Sequence, residues 1–230
     1  NTWFKANLGI FKIFRKKNVP IMLKIHNFRY WCANSYLLKD HLRGNDFCPA
    51  CSLKDDKKLL NCYFPGSLLK SLILIRYTRK LISILKNEKM KILTITDFHK
   101  QFLIDLDISK SKIYKYNNPI KLNNDVEVNY NVNSDYAVFA GRITESKGVE
   151  ELILSWQQFS NNEGLILKIV GEGNLDNKLK NIYNLNNIEF VGHLNNYEVK
   201  QLISKSRAVI TATKMYEGQP RLLCEASSLG

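Results

Sequence analysis

The sequence contains no uninterrupted apolar run that approaches the roughly 20 residues needed to cross a bilayer. This absence argues against a membrane-spanning helix. The first residues show no signal-peptide pattern, and the chain opens on Asn1 rather than on methionine. It stops at Gly230, inside a helical pattern. We therefore interpret the 230 residues as an internal fragment of a longer protein, enough for one large domain or two small ones.

Acidic residues are scarce in the first half of the chain. Residues 1–122 carry 24 Lys and Arg against 8 Asp and Glu, a net charge of +16, whereas residues 123–230 carry 10 and 13, a net charge of −3. A basic surface is typical of proteins with anionic partners such as lipid head groups, nucleic acid or acidic glycans. Plain solubility is the alternative. The sequence lacks a recognisable recognition helix or aromatic-studded strand, so we expect no nucleic-acid partner. Because the charge alone would suit one, a basic nucleic-acid-binding protein remains the alternative function.

The second half of the chain has a regular pattern. Apolar runs alternate there with amphipathic stretches, and strands that alternate with helices predict a doubly wound parallel sheet of the α/β class. The predicted strands are 136–140, 165–170, 188–191 and 208–211, and the predicted helices are 149–159, 175–183, 196–204 and 220–229.

The first half of the chain predicts a second, less regular α/β domain. The predicted helices are 1–17, 67–85 and 97–106, and the predicted strands are 19–25, 91–96 and 113–118. The helix at 67–85 interleaves apolar residues with basic ones, so it either lies on an anionic membrane surface or packs on the core with a solvated basic face. A polar, Asn-rich stretch follows. We expect domains at 1–122 and 136–230, joined by a linker at 123–135.

Four of the five cysteines lie in residues 27–66, a long stretch without a periodic pattern. Cys48 and Cys51 form a C-x2-C knuckle, and Cys32 and Cys62 bracket it. Four thiolates could close a tetrahedral structural zinc site that fastens this loop. Free thiols or a redox pair are the alternatives, since the outer spacings are not those of a standard zinc finger. Cys224 is interpreted as a packing residue.

A nonapeptide, Glu217–Glu225, follows the last predicted strand and a polar loop. Pro220 suits the first turn of a helix, which leaves Glu217 in the preceding loop and Glu225 one to two turns inside the helix. The backbone N–H groups of Gly218 and Gln219 then offer an anion site. Two carboxylates around an anion site suit a nucleotide sugar. Taken alone, the nonapeptide is equally compatible with a solvated loop and a surface helix.

Three other motifs accompany the nonapeptide in order. The Glu-x7-Glu motif resembles that of the retaining glycosyltransferases of family 4, and Ala140–Gly148, with the sequence AGRITESKG, looks like that family's phosphate-binding loop. The segments IVGEG at 169–173 and FVGH at 190–193 match its next two strand ends. The resemblance covers 136–230 well and the earlier part loosely. It implies a GT-B fold of two Rossmann-like domains, both incomplete in this chain.

The resemblance also implies roles for the site residues. Arg142 and Lys147, next to Gly141, would neutralise the leaving nucleoside diphosphate, with no divalent metal or other cofactor required for catalysis. Glu225 would accept hydrogen bonds from the ribose hydroxyls, and Glu217 would contact the donor sugar or its phosphate region.

Further donor-site candidates lie at other strand ends. A tight turn and a segment that faces the base are expected to line the nucleotide, and they comprise Gly171, Glu172, Val191, Gly192 and His193. His26 ends a strand of the first domain and resembles a family histidine near the reacting sugar. Its predicted catalytic role is to donate a hydrogen bond to the sugar or to developing charge. A structural role is the alternative for this histidine.

These resemblances imply a hexosyltransferase-like retaining enzyme. Its donor would be a UDP-, GDP- or ADP-sugar held mainly by residues 141–225, and its acceptor a glycan or lipid-linked glycan bound by the first domain. The implied process is the synthesis of a cell-surface polysaccharide such as lipopolysaccharide or capsule, in the cytoplasm with peripheral contact at the inner face of the membrane. A catalytically inactive relative that only binds the nucleotide sugar is a further alternative.

Overall fold

The computed structural model describes residues 7–26, 68–119, 134–159, 164–214 and 217–229. Cys32, Cys48, Cys51 and Cys62, and nearly all of the predicted linker, lie outside the described residues. The chain divides into two compact units. The first comprises Asn1–Asn118 with Tyr216–Gln219, and the second comprises Pro119–Met215 with Pro220–Gly230. The Glu-x7-Glu motif is therefore shared between the units.

The first unit contains a parallel sheet in the order β1-β2-β3. Its elements are α1 (Gly9–Lys16), β1 (Met22–Ile25), α2 (Leu68–Asn87), β2 (Lys91–Thr94), α3 (Asp97–Asp105) and β3 (Ile113–Lys115). Ile25 and Ile92 of the sheet are fully buried, as are Leu81 and Leu85 of α2. The second half of α2 thus packs in the core, as one of the two interpretations of this helix expected. Its first half exposes Leu69, Leu72 and Ile73.

The prediction of a buried strand over residues 19–25 was wrong for its first residues. The strand begins at Met22, and Val19 and Met22 are 45% and 63% exposed. Asn18 has a left-handed backbone with φ of 52°, so the chain is still turning out of α1 at this point. Among the described strands, β1 pairs only with β2. Apolar composition alone did not reveal that, within the described residues, only one edge of this strand is paired.

Lys112 connects the end of α2 to the start of β3. Its ammonium group donates hydrogen bonds to the carbonyl oxygens of Lys86 at 2.6 Å, Glu88 at 2.9 Å and Leu85 at 3.5 Å. Carbonyl groups at a helix C-terminus lack intrahelical partners and carry partial negative charge. The cation therefore satisfies the end of α2 and fixes it beside the sheet.

The second unit is the doubly wound sheet that the alternating pattern predicted. Its elements are β4 (Tyr136–Ala140), α4 (Val149–Phe159), β5 (Ile166–Val170), α5 (Asp176–Ile182), β6 (Ile188–Gly192), α6 (Asn196–Ser204), β7 (Ala208–Val209) and α7 (Arg221–Ser227). All pairs are parallel, in the order β6-β5-β4-β7. The last helix begins at Arg221 rather than Pro220, because Pro220 has an extended backbone and occupies the N-cap position.

Helices cover both faces of this sheet. Ala137 and Phe139 of β4 point to one face, where Trp156 of α4 and Leu179 of α5 belong to the same buried cluster. Val138 points to the other face, in a second cluster that includes Ile203 of α6 and Leu229, just after α7. Because successive side chains of a strand alternate between faces, the apolar run of β4 supplies both cores at once.

His99 should make the stability of the first unit depend on pH. Burial, with a smaller contribution from His26, lowers the pKa of His99 from 6.5 to about 4. The imidazole of His99 therefore binds a proton near pH 6.5 in the unfolded chain but only near pH 4 in the native state. The contribution of neutral His99 to the free energy of unfolding is fully present above pH 6.5. About 3 kcal/mol of this free energy should be lost as the pH falls from 6.5 to about 4. Chemical denaturation of the full-length protein at several pH values measures this slope.

The variant His99→Phe should flatten the slope between pH 6.5 and 5. The matched control is His193→Gln, since His193 is an exposed histidine of the second unit, and its slope should equal that of the unmodified protein. An unchanged slope in His99→Phe would contradict the assignment to this buried imidazole.

Candidate functional site

The strand order of the second unit creates a switch point beside β4. The chain runs from β4 to β5 to β6 in one direction and then returns to place β7 on the other side of β4. The loops that follow β4 and β7 therefore leave neighbouring strand ends in different directions. In open α/β sheets the crevice between such loops is the usual ligand site. The loop after β4 carries Arg142 and Lys147.

The loop after β4 is held by the loop after β7. The carbonyl oxygen of Ser146 accepts hydrogen bonds from the backbone N–H of Lys214 at 3.0 Å and from the hydroxyl of Thr213 at 3.3 Å. The ammonium group of Lys214 also forms an ion pair with the Glu151 carboxylate on α4. These contacts join both sides of the switch point, so the backbone that carries Arg142 and Lys147 is fixed. Arg142 itself is exposed, and Lys147 is half-buried.

The ion pair with Lys214 sets the charge of Glu151. Burial alone would raise the pKa of this carboxyl, but the hydrogen bond and charge of Lys214 lower it below its ordinary value. Glu151 therefore remains an anion at neutral pH, and its partner Lys214 has its charge satisfied within the protein. The loop after β4 itself carries two cationic side chains, Arg142 and Lys147.

Neighbouring strand ends are joined by backbone hydrogen bonds. The N–H of Gly141 donates to the oxygen of Val170 at 2.9 Å, and that of Gly171 donates to the oxygen of Gly192 at 2.8 Å. The N–H of Ile143 donates to the oxygen of Glu172 at 3.0 Å. The structure thus brings Gly141, Gly171, Glu172 and Gly192 together at one edge, as the motif positions predicted. His193 follows directly and is exposed, and Val191 is half-buried.

Three glycines are required by close approach at this edge, and one of them is Gly173, where a Cβ would lie 2.1 Å from the oxygen of Ile143. A Cβ on Gly171 would lie 2.0 Å from the oxygen of Gly141, and one on Gly148 would lie 2.0 Å from the oxygen of Ala212. Their φ angles of 130° and 66° are also rarely adopted by other residues. The tight turns at the switch point therefore depend on the absence of a side chain.

Glu225 lies in the second turn of α7, as predicted. Its side chain is 15% exposed, and its Oε1 atom accepts from Nη2 of Arg221 at 3.4 Å. Arg221 is 81% exposed. No role for Arg221 was predicted from the sequence, although the i,i+4 spacing of an arginine and a glutamate on a helix was a signal for this pair.

The segment Glu217–Gln219 belongs to the first unit. Gly218 lies against the backbone oxygen of His26, and the side chain of Gln219 binds the backbone of Asn118. The structure therefore brings Gly218 and His26 together within one unit, a contact that no sequence pattern predicted. His26 is largely exposed, and its partial burial, followed by the charge of Lys24, lowers its pKa below the ordinary value.

Neither a metal cluster nor a membrane-spanning helix is found in the part of the chain that the structure describes. In those residues no group of three or more His, Cys, Asp or Glu is arranged to hold a metal ion. None of their helices is long and apolar enough to cross a bilayer. The four cysteines predicted as zinc ligands lie outside this part.

Comparison with known proteins identifies the fold. The family model of the group 1 glycosyl transferases matches residues 121–230. A sequence search of curated proteins finds no match. Among solved structures, S. aureus TarM, a mutant in complex with Fondaparinux, alpha-GlcNAc-glycerol and UDP, has 17% identity and a TM-score of 0.60. That alignment covers 96% of this chain and 38% of TarM.

Two other solved structures are similar. Anabaena HepE in complex with UDP-glucose has 13% identity and a TM-score of 0.63, over 98% of this chain and 55% of HepE. The pneumococcal O-GlcNAc transferase GtfA in complex with UDP and GlcNAc has 14% identity and a TM-score of 0.56, over 94% of this chain and 37% of GtfA. The chain thus spans between about a third and just over a half of these relatives. It has a GT-B-type fold of two Rossmann-like units, both incomplete.

Gly148 should be far less tolerant of substitution than Gly164. Both have left-handed backbones, with φ of 66° and 65°, but none of the described residues lies within 4 Å of a Cβ added to Gly164. Gly164→Ala should therefore cost only about 1–2 kcal/mol for the strained backbone. Gly148→Ala should cost at least about 2 kcal/mol more, because its Cβ collides with the Ala212 carbonyl. Equal losses in denaturant unfolding of the two variants would contradict the close packing of the two loops.

Proposed function

We propose that this chain is part of a retaining glycosyltransferase that moves a sugar from a nucleotide-sugar donor to a glycan or lipid-linked acceptor. The observation that carries the proposal is the switch point beside β4. It presents Arg142 and Lys147 on a loop fixed through Ser146, within the residues that the group 1 glycosyl transferase family model matches. Two cations on a rigid loop at the carboxyl edge of a parallel sheet suit a diphosphate.

The donor is a nucleoside diphosphate sugar in this proposal. Arg142 offers a planar fork of donors and Lys147 a compact charge, a combination suited to phosphate oxygens. Glu225 accepts hydrogen bonds from the ribose, and the strand ends at Gly171, Glu172, Val191, Gly192 and His193 line the nucleotide. The similar TarM, HepE and GtfA structures are complexes with UDP or UDP-glucose, so UDP-sugars are the first donors to test, before GDP- and ADP-sugars.

Transfer would proceed by attack on the same face of the sugar. The bond between the anomeric carbon and the diphosphate oxygen breaks, and a bond to the acceptor oxygen forms on the face the diphosphate leaves. The acceptor proton passes to the departing phosphate oxygen, while Arg142 and Lys147 stabilise the charge on the leaving group. Glu217 contacts the donor sugar, and His26 donates a hydrogen bond to it. No metal or other cofactor takes part in this scheme.

The acceptor is proposed to bind the first unit. The net charge of +16 over residues 1–122 favours an anionic or lipid-linked glycan, as in the synthesis of a cell-surface polysaccharide such as lipopolysaccharide or capsule. The same charge, with the exposed apolar residues Leu69, Leu72 and Ile73, supports peripheral contact with an anionic membrane at its cytoplasmic face.

The alternative function is that of an inactive relative, which would bind the nucleotide-sugar donor without turnover.

Arg142→Ala and Lys147→Ala should each lower kcat/KM of the full-length enzyme about 100-fold, because a preorganised charge partner of the leaving group is lost.

Glu225→Ala should weaken nucleoside diphosphate binding by about 1.5–3 kcal/mol, as for a lost hydrogen bond to a charged group. Steady-state kinetics and calorimetry measure these effects. The matched control is Lys205→Ala, since Lys205 is an exposed lysine just after α6.

If an Arg142→Ala, Lys147→Ala double variant kept a kcat/KM near that of the unmodified enzyme, the proposal that these two residues bind the diphosphate would be wrong. Nucleotide binding without any turnover in the unmodified full-length protein would instead favour the inactive relative. Steep salt-dependent binding to random DNA would favour the nucleic-acid-binding alternative.

We also propose that Cys32, Cys48, Cys51 and Cys62 bind one structural zinc ion, on the strength of the C-x2-C knuckle within a long stretch that lacks periodicity. Metal analysis of the purified protein should find about one equivalent of zinc, which a Cys48→Ser, Cys51→Ser double variant should lose. The control is Cys224→Ser, which should keep the metal. A stably folded protein without zinc would leave free thiols or a redox pair as the explanation.

A further inference from the structure

The segment Glu217–Gln219 lies across the carboxyl ends of the strands of the first unit. Gly218 is close to the backbone oxygen of His26, which follows β1, and to the side chain of Ile95, which follows β2. A Cβ on Gly218 would lie 3.2 Å from the former and 3.3 Å from the Cδ1 atom of the latter, tighter than ordinary contacts. This proximity fixes the segment beside the candidate catalytic histidine.

Gln219 fastens the same segment to the chain that follows β3. Its Oε1 atom accepts a hydrogen bond from the backbone N–H of Asn118 at 2.7 Å, across 101 positions of sequence. The side chain of Asn118 accepts in turn from the ammonium group of Lys24 on β1 at 3.0 Å. That ammonium group also lies 4.8 Å from the ring centroid of Tyr116, a cation–π contact. The acceptor Gln219 therefore binds a backbone position that is itself held.

We propose that Gln219 is a positioning residue, whose side-chain amide anchors Glu217 and Gly218 beside His26 at the carboxyl edge of the first unit. The inference rests on the proposed glycosyl transfer, in which Glu217 and His26 contact the donor sugar. Glu217 and His26 both belong to the first unit, whereas Glu225 belongs to the second. The hydrogen bond of Gln219 to Asn118 fixes the segment that carries Glu217 within the first unit.

This role differs from the one that the sequence suggested for the residue. There, the backbone N–H of Gln219 was expected to bind the diphosphate at the start of a helix. In the anchoring role the side-chain oxygen matters, and it acts on the sugar end of the donor through Glu217. Loss of the anchor should therefore affect the chemical step more than nucleotide binding, since misplacement of a reacting group by about 1 Å can cost 100-fold in rate.

Three variants of the full-length enzyme test the proposal. Gln219→Leu removes the acceptor oxygen with little change in volume, whereas Gln219→Glu keeps an acceptor oxygen. The matched control is Gln201→Leu, because the side chain of Gln201 on α6 donates to the hydroxyl of Tyr197 at 2.9 Å, within the second unit. Gln219→Leu should lower kcat about 10-fold or more while the Kd for UDP changes by no more than about twofold. Gln219→Glu should restore most of kcat, and Gln201→Leu should leave it unchanged.

Hydrogen exchange at the Asn118 amide gives a readout independent of activity. Protection should be lost in Gln219→Leu and retained in Gln219→Glu. The anchor is overturned if kcat of Gln219→Leu stays within about twofold of the unmodified enzyme, or if the Asn118 amide stays protected in that variant. A fall in kcat that only follows a lower Tm would also overturn it. A complete absence of transfer by the unmodified enzyme, with normal protection, would instead refute the proposed function.

Discussion

Parallel pairing of β4 with both β5 and β7 is the constraint on which the candidate donor site depends. Parallel strands end at the same edge of a sheet, so the loops after β4, β5 and β6 meet there. The backbone bonds from Gly141 to Val170 and from Gly171 to Gly192 continue the pairing beyond the strands. Residues far apart in sequence thus form one surface, and the close approach of these turns leaves no room for side chains at Gly148 and Gly171.

The same architecture explains why the cations of the site are on loops. The apolar strands fill both cores of the second unit, so their interior cannot carry unpaired charge. Charged side chains are placed where the chain leaves the sheet, and the neighbouring loops hold them there through Ser146 and Lys214. A rigid cationic edge of this kind needs little reorganisation when negative charge develops on a leaving group.

Much of the second unit could be predicted from sequence because its signals are local. Apolar runs flanked by turn residues predicted β4 and β6 to within a residue, and the capping box of Asn195 and Glu198 fixes the start of α6 where the pattern began. The placement of Glu217–Gln219 could not be predicted. It depends on contacts with His26 and Asn118, which are distant in sequence and carry no pattern of their own.

Boundaries were least predictable where apolar composition continued beyond the pairing. Val19 is as apolar as a buried strand residue, yet the left-handed turn at Asn18 leaves it outside the sheet. The strand predicted at 208–211 is paired only over Ala208–Val209, although the N–H of Ile210 still donates to Val138. The i,i+4 spacing of Arg221 and Glu225 was visible in the sequence, but it brings the two side chains together only where the segment is helical.

Hydrogen exchange of the full-length protein with and without UDP measures most directly whether the edge beside β4 is the donor site. Ligand that binds only the native state suppresses local opening where it makes contact. We expect new protection of amides in residues 141–148 and in the first turns of α7, with little change at residues 8–21 near α1. Protection confined to the first unit, or none at a UDP concentration that saturates binding, would contradict it.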